Sequence, residues 1–373
     1  MTVCSNAITT ERVFNYSDHK DTFLKANIKT LTQISGVNIS PPLRPFWWPK
    51  GYGLGLGIDH ISNTAIYSQL LPLLSVNLHP FPKDIVQQPT HITGSKNGLI
   101  AITEAKQNNV VLFKMTQVLF KPTFIKRLII TYPTKCAFNT KEQLYVLSKN
   151  NTFTVYEKHF ERNIPLEKTI QRTLHHKKII DFKLSQHNSL FILTNDMLYI
   201  LSENGFLITQ FPLSKKYSHL GVNFYEDIFL LTPNNQIDQF TSQGQFLLST
   251  PIKTKDNRIE GFFLYDSLGI VVFTNEQTTW TMAESPQFTK LSLNTISKSN
   301  QKTASILHFT LTSPSLVSIE LNEQHRRKSF LNKEFMKSGT HQFLIEAPNF
   351  LDIKLSATSV FDSKYKTSKI ISF

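Results

Sequence analysis

Pro89-Thr90-His91-Ile92-Thr93-Gly94-Ser95-Lys96-Asn97-Gly98-Leu99-Ile100-Ala101-Ile102, continuing to Asn109-Val110-Val111-Leu112-Phe113, runs from a proline through a polar turn to an apolar run, and after a second turn to another. The same order returns from Pro133-Thr134-Lys135-Cys136 through 144–147 to 153–156. Short apolar runs bounded by turn residues read as β-strands, and two joined by a tight turn read as a hairpin. A proline cannot donate to a sheet ladder, so it fits the start of a strand at the edge of a sheet.

Working outward, first-strand runs recur at 54–56, 99–102, 144–147, 190–193, 228–231 and 270–273, with starts 45, 45, 46, 38 and 42 residues apart. Each is followed by a second run, at 65–67, 110–113, 153–156, 198–201, 237–240 and 279–282. Pro45 stands nine residues before Leu54, and Gly205-Phe206-Leu207 matches Gly244-Gln245-Phe246-Leu247 as a turn glycine leading into an outer strand. A unit of three or four short strands cannot cover both of its faces alone. Stacking such units radially covers them and leaves only short edges, which predicts an all-β fold with a β-propeller of about six blades over 41–293. A stacked sandwich of irregular strands is the competing architecture, but it needs no period near 40 residues.

The 89–113 and 133–156 patterns resemble repeats of the NHL type of WD40-like β-propeller. The Asn-Arg pair usual before the second hairpin strand in that family is missing, and the fourth repeat is short, so the resemblance bears on fold and not on subfamily. It implies a scaffold of a kind that serves in protein binding, RNA binding and occasionally hydrolysis.

Composition changes after the sixth repeat. The stretch 291–305 is rich in Ser, Thr, Asn and Lys and predicts a linker at 294–305. Strand signals at 306–311, 316–321, 341–345, 351–357 and 369–373 then predict a small β-sandwich over 306–373. Its Ser338-Gly339-Thr340-His341 step and its Leu351–Ala357 run are similar to the immunoglobulin-like repeat of flagellar-hook capping proteins and bacterial sorting domains. Residues 1–40 mix spacings of three and two, at Ile28, Leu31, Ile34, Val37 and Ile39, and are expected to help close the propeller.

Composition bounds the function. The chain has 373 residues, 40% of them hydrophobic with 29 Phe and 18% charged, enough for a large core and too apolar for disorder. Cys4 and Cys136 make no disulfide framework. The first twenty residues lack a continuous apolar stretch and no later run approaches 18 apolar residues, so no transmembrane segment is expected, and the expected location is the cytoplasm or a larger complex assembled from the cytosol. The net charge of +13 would suit nucleic acid, yet the last 75 residues hold ten Lys+Arg against six Asp+Glu, so the excess is diffuse.

No phosphate loop, zinc pair, nucleophile elbow or Cys-x-x-Cys motif is present, and no cofactor is expected. The alternate glycines of Gly51-Tyr52-Gly53-Leu54-Gly55-Leu56-Gly57 do not make a dinucleotide fingerprint and read as glycines on one face of a strand. Candidate partner-binding residues are the Trp47-Trp48 pair, set between prolines, and the clusters His175-His176-Lys177-Lys178 and Arg326-Arg327. The expected function is a non-catalytic adaptor binding other protein subunits. RNA binding through basic and aromatic side chains is the first alternative, and a calcium-dependent propeller hydrolase the second, although the expected inner strands around 90–93 and 134–138 offer Thr, His, Lys and Cys in place of paired carboxylates.

Overall fold

The computed structural model describes residues 44–47, 53–59, 63–70, 78–115, 121–174, 177–251, 259–265, 269–274, 281–283, 291–298, 304–323, 326–346, 350–360 and 366–372. The segment 1–40 lies outside them.

The expected hairpins are present, each built out to a sheet. Blade 1 is β1 (Arg44–Trp47), β2 (Gly53–Asp59), β3 (Thr64–Leu70) and β4 (Leu78–Pro80). Blade 2 is β5 (His91–Gly94), β6 (Leu99–Glu104), β7 (Asn109–Met115) and β8 (Pro122–Ile129). Blade 3 is β9 (Pro133–Phe138), β10 (Leu144–Ser148), β11 (Phe153–Tyr156) and the two-residue β12 (Asn163–Ile164). The single α-helix among the described residues, α1 (Glu167–Leu174), follows and buries Ile170 and Leu174. Blade 4 is β13 (Ile179–Leu184), β14 (Leu190–Thr194), β15 (Met197–Leu201) and β16 (Leu207–Pro212). Blade 5 is β17 (His219–Val222), β18 (Ile228–Leu231), β19 (Gln236–Phe240) and β20 (Phe246–Pro251), and the three-stranded blade 6 is β21 (Ile259–Tyr265), β22 (Gly269–Thr274) and β23 (Thr281–Ala283).

Every blade is an antiparallel meander with strands in chain order, and the first strands of blades 2 to 6 touch in succession. That is the geometry of a β-propeller. The second strands, β6, β10, β14 and β18, are buried along their whole length. Their residues split between neighbouring cores by the period of two. Ile100 and Ile102 pack toward blade 1, while Leu99 and Ala101 pack toward blade 3. Continuous apolar runs thus reflect burial on both faces, the condition that stacking imposes. Pro133 opens β9 at a register shift opposite Ser148, where no ladder donor is required.

The remaining strands form two antiparallel sheets. One is β24 (Leu291–Lys298), β25 (Ala304–Leu311) and β28 (Gly339–Glu346). The other has the order β27 (Arg326–Met336), β26 (Ser315–Glu323), β29 (Phe350–Ser359) and β30 (Lys366–Ser372). Leu307, Phe309 and Ile345 of the first share one core with Val317, Ile319, Ile353 and Leu355 of the second. The expected linker at 294–305 is corrected here, because β24 runs through 298 and pairs with β25 from Leu291↔Leu311 to Lys298↔Ser305. Ser, Thr and Asn suit a loop, but they equally suit an edge strand with one face toward water, and the period of two in Leu291 and Leu293 was the signal for the strand.

Candidate interaction surface

The turns between first and second strands share one construction in blades 2 to 5. In blade 2 the Ser95 Oγ accepts the N–H groups of Asn97 and Leu99, and Gly98 N–H donates to Ser95 O. Asn139 does the same for Lys141 and Gln143, Ser185 for His187 and Ser189, and Asn223 for Tyr225 and Asp227. A short oxygen-bearing side chain thus satisfies two backbone donors that the tight turn leaves without ladder partners. The fourth turn residue lies in the left-handed region, at φ 81° for Gly98, 62° for Glu142, 65° for Asn188 and 68° for Glu226.

In blades 3 to 5 that fourth residue also reaches back to the preceding blade. Asn188 Oδ1 accepts both the N–H and the hydroxyl of Thr140, at 3.0 and 2.7 Å, and Glu226 Oε1 accepts the Ser185 hydroxyl at 2.7 Å. Glu142 faces Asn97. Its burial pushes the carboxyl pKa up, while the Asn97 amide and the Lys158 ammonium more than offset this and hold it below the usual carboxylate value.

At blade 5 the chain of clasps passes to the C-terminal sheets. Asp227 accepts hydrogen bonds from the Ser338 hydroxyl and, at 3.0 Å, from the Asn223 amide. Burial pushes the Asp227 carboxyl up to about 6, against the opposing pull of those two donors and of Lys337. Gln245 bonds Thr340 in both directions, and the buried Gln239 amide donates to Thr312 O at 2.8 Å. A Cβ on Gly339, at φ 120°, would come within 3.2 Å of Thr241 Cγ2, so glycine permits the close seating.

Over this buried polar seam lies a run of aromatic rings. His187 meets Phe224 edge-on at 6.0 Å, Phe224 meets Tyr225 at 5.1 Å, and Tyr225 lies against Phe335 of β27 at 5.4 Å. Phe224 and Phe335 remain 41% and 47% exposed, far more than rings in the cores. Strand β27 is a sheet edge, and residues 326–337 hold five Lys or Arg against one Glu. Lys333 and Lys337, two residues on either side of Phe335, are both exposed. Blades 4 and 5 and the C-terminal sheets thus form one surface of rings and cations.

Trp47 belongs to β1, where its backbone pairs with Gly53, while Trp48, His175 and His176 lie outside the described residues. Lys177 follows α1 and is bound to Asp196, and Lys178 beside it is exposed. Arg326 and Arg327 pair with Glu323 and Asn322 along β27, and Arg327 is exposed. Of the candidates, these two share a strand with the aromatic surface, and among the described residues no contact joins Arg327 to Lys177 or Lys178. Sequence reading missed His187, Phe224, Tyr225 and Phe335. For His187, Phe224 and Tyr225 the available signal was an aromatic or imidazole side chain inside a tight polar turn, where no core demands one, while Phe335, inside β27, carried no such mark.

Two further features bear on chemistry. From Gly53 onward the glycine-rich stretch is the second strand of blade 1, with Gly53 and Gly55 paired on both sides, and not a phosphate-cradling turn. The first strands also carry a buried acid that the sequence reading overlooked, Asp181, which is held by Lys135 and by two backbone N–H groups. Among the described residues no three His, Cys, Asp or Glu side chains gather as metal ligands, and no helix is long and apolar enough to cross a membrane.

No protein-family model matches the sequence, and no curated protein matches it. Among solved structures the chain is similar to virginiamycin B lyase from Staphylococcus aureus, with a TM-score of 0.45, 14% identity, and coverage of 74% of this chain and 94% of that one. It is similar also to the C-terminal WD40 domain of Sif2, with a TM-score of 0.44, 11% identity, and coverage of 63% and 65%. A third is BBS1N in complex with ARL6DN, with a TM-score of 0.42, 9% identity, and coverage of 90% and 93%. At these scores the likenesses carry neither activity nor partner across to this chain.

Proposed function

We propose that the chain is a non-catalytic protein-binding adaptor that works in the cytoplasm or within a larger assembly formed there. In this reading it is an NHL-like propeller of six blades with an immunoglobulin-like C-terminal module, and its docking face is the turn end of blades 4 and 5 together with β27. The observation that carries the reading is the ring run His187, Phe224, Tyr225 and Phe335, which leaves all but the half-buried Tyr225 exposed and spans two structural units. Exposed aromatic clusters with a rigid base are the usual anchors of protein recognition. The clasped turns supply that rigid base.

The test is affinity capture of the chain from its native organism at moderate salt, with and without nuclease, beside the double variant Phe224→Ala/Phe335→Ala. A nuclease-resistant set of proteins recovered with the native chain and lost with the variant supports the adaptor. The same set recovered with both, or the chain recovered alone with turnover of a small substrate, rejects it.

A further inference from the structure

We infer that the ring-and-lysine surface recognises a protein segment in which an apolar anchor is flanked by acidic side chains. The inference rests on the reading of this surface as a protein-binding face and adds the chemistry of the partner. Three observations carry it.

The rings are packed on one another. Tyr225 is half-buried and forms a floor, with Phe224 edge-on to it and Phe335 tilted by 33° over it. Ring faces already engaged in this way leave a compact apolar patch that suits the side of an aliphatic or aromatic anchor. They leave no spaced parallel platforms on which successive nucleic-acid bases would stack.

The cations beside the patch are exposed. Lys333 and Lys337 take part in none of the ion pairs among the described residues, whereas Lys135, Lys141, Lys158, Lys177, Lys215 and Lys354 each hold a carboxylate. Lys337 acts on the Asp227 carboxyl through its charge and is itself exposed. Two exposed positive charges bracketing an exposed ring are complementary to acids bracketing an anchor.

The edge itself is interrupted. Register shifts fall between Val317 and Ile319 and between Ile319 and Glu320 on β26, so β27 bulges twice, and Lys333 has φ 52° with its N–H turned to Ser318 Oγ. A bulged, cationic edge resists pairing with another strand. The partner is therefore read through side chains and not by extending the sheet.

The experiment is selection of a phage-displayed library of random short peptides on the full chain at near-physiological salt. The selected peptides are then measured by fluorescence polarisation against the native chain, Phe335→Ala and Lys333→Glu/Lys337→Glu, each checked for native thermal unfolding. The expected result is enrichment of acidic peptides with a single apolar anchor, about tenfold weaker on the lysine variant and weaker as salt rises. Enriched peptides that need Phe335 but carry no acidic bias, or that bind the lysine variant unchanged, overturn the partner class while leaving the docking face in place. Absence of enrichment, or binding indifferent to Phe335→Ala, overturns both. A single-stranded oligouridylate probe that binds at the same salt and is lost in Phe335→Ala overturns the inference in favour of RNA.

Discussion

The Lys135 ammonium lies 2.6 Å from Asp181 Oδ1, across the boundary between blades 3 and 4. The same carboxylate accepts the N–H of Phe182 at 2.8 Å and that of Leu220 at 3.0 Å, so one buried acid ties β9, β13 and β17 together. Burial would push its pKa up, but the charges of Lys135 and Lys183 and the hydrogen bonds from Lys135 and Leu220 outweigh that and hold it far below the usual carboxylate range. Lys135→Met is expected to destabilise the propeller by about 3–5 kcal/mol, because it strands a buried charge. Denaturant unfolding measures it. Since the folded-state pKa is depressed, the stabilisation is present above the unfolded value and is lost as pH falls below about 4. Asp181→Asn should therefore unfold with a shallower acid dependence than the native chain.

The Asn188 clasp separates backbone strain from contact between blades. Alanine at this position loses both bonds to Thr140 and must hold φ near 65° with a Cβ and no local hydrogen bond, whereas glycine loses only the bonds. Asn188→Ala is expected to cost about 2 kcal/mol and Asn188→Gly about 1 kcal/mol. Equal losses in the two variants, measured by denaturant titration, would show that the left-handed conformation contributes nothing.

What the sequence made legible follows from the range of each interaction. Burial on both faces of β6, β10, β14 and β18 leaves a continuous apolar run, so the blades could be found from spacing alone. The turn device is weakly marked in the sequence: Ser95, Asn139, Ser185 and Asn223 each bond the N–H four residues on, but Ser and Asn are common turn residues, so their recurrence carries little signal by itself. The seam was not legible. Asp227 and Ser338 are 111 positions apart, and nothing local to either marks the other. Phe335 read as one more apolar residue of a strand until its neighbours across the seam were known. Charge density pointed to Arg326 and Arg327, which share β27 with Phe335, and equally to Lys177, which is bound to Asp196 elsewhere.

Blades 5 and 6 meet at Gly221. A Cβ there would lie 2.6 Å from Phe262 Cε2, 3.0 Å from its Cζ and 3.3 Å from Leu264 Cδ1, with no unusual backbone angle involved. Gly221→Ala is thus a pure test of packing, and overpacking of a buried ring costs about 1–3 kcal/mol. Pairing it with Phe262→Leu should recover part of the loss, because the smaller side chain vacates the contested volume. Additive losses in the double variant would place the cost of alanine elsewhere.

Asp227 makes the seating of the C-terminal sheets depend on pH. Its carboxyl is nearly fully buried between Asn223 and Ser338, and burial raises its pKa to about 6 from a model-peptide value near 4. A carboxyl whose folded pKa is raised binds its proton more tightly in the docked state. The contribution is therefore fully present below the unfolded value and is lost as pH rises through about 6. The charged groups facing it are few. Lys337 adjoins its partner Ser338, Glu226 precedes it but is bonded to Ser185, and His341 on β28 is turned to Lys337 O. Asp227→Asn imitates the protonated acid at every pH and keeps a group able to bond Ser338. Thermal unfolding between about pH 3 and pH 8 should show the native chain losing stability relative to Asp227→Asn from the unfolded value near 4 up to about 6, and a level difference above it. The two should converge toward the acid end of that range. Hydrogen exchange at the amides of 337–341 should follow the same course, faster in the native chain at the alkaline end and alike at the acid end. A constant offset between the two proteins across the range would mean that Asp227 does not titrate at the seam, and that Ser338 is held there by its hydrogen bond alone.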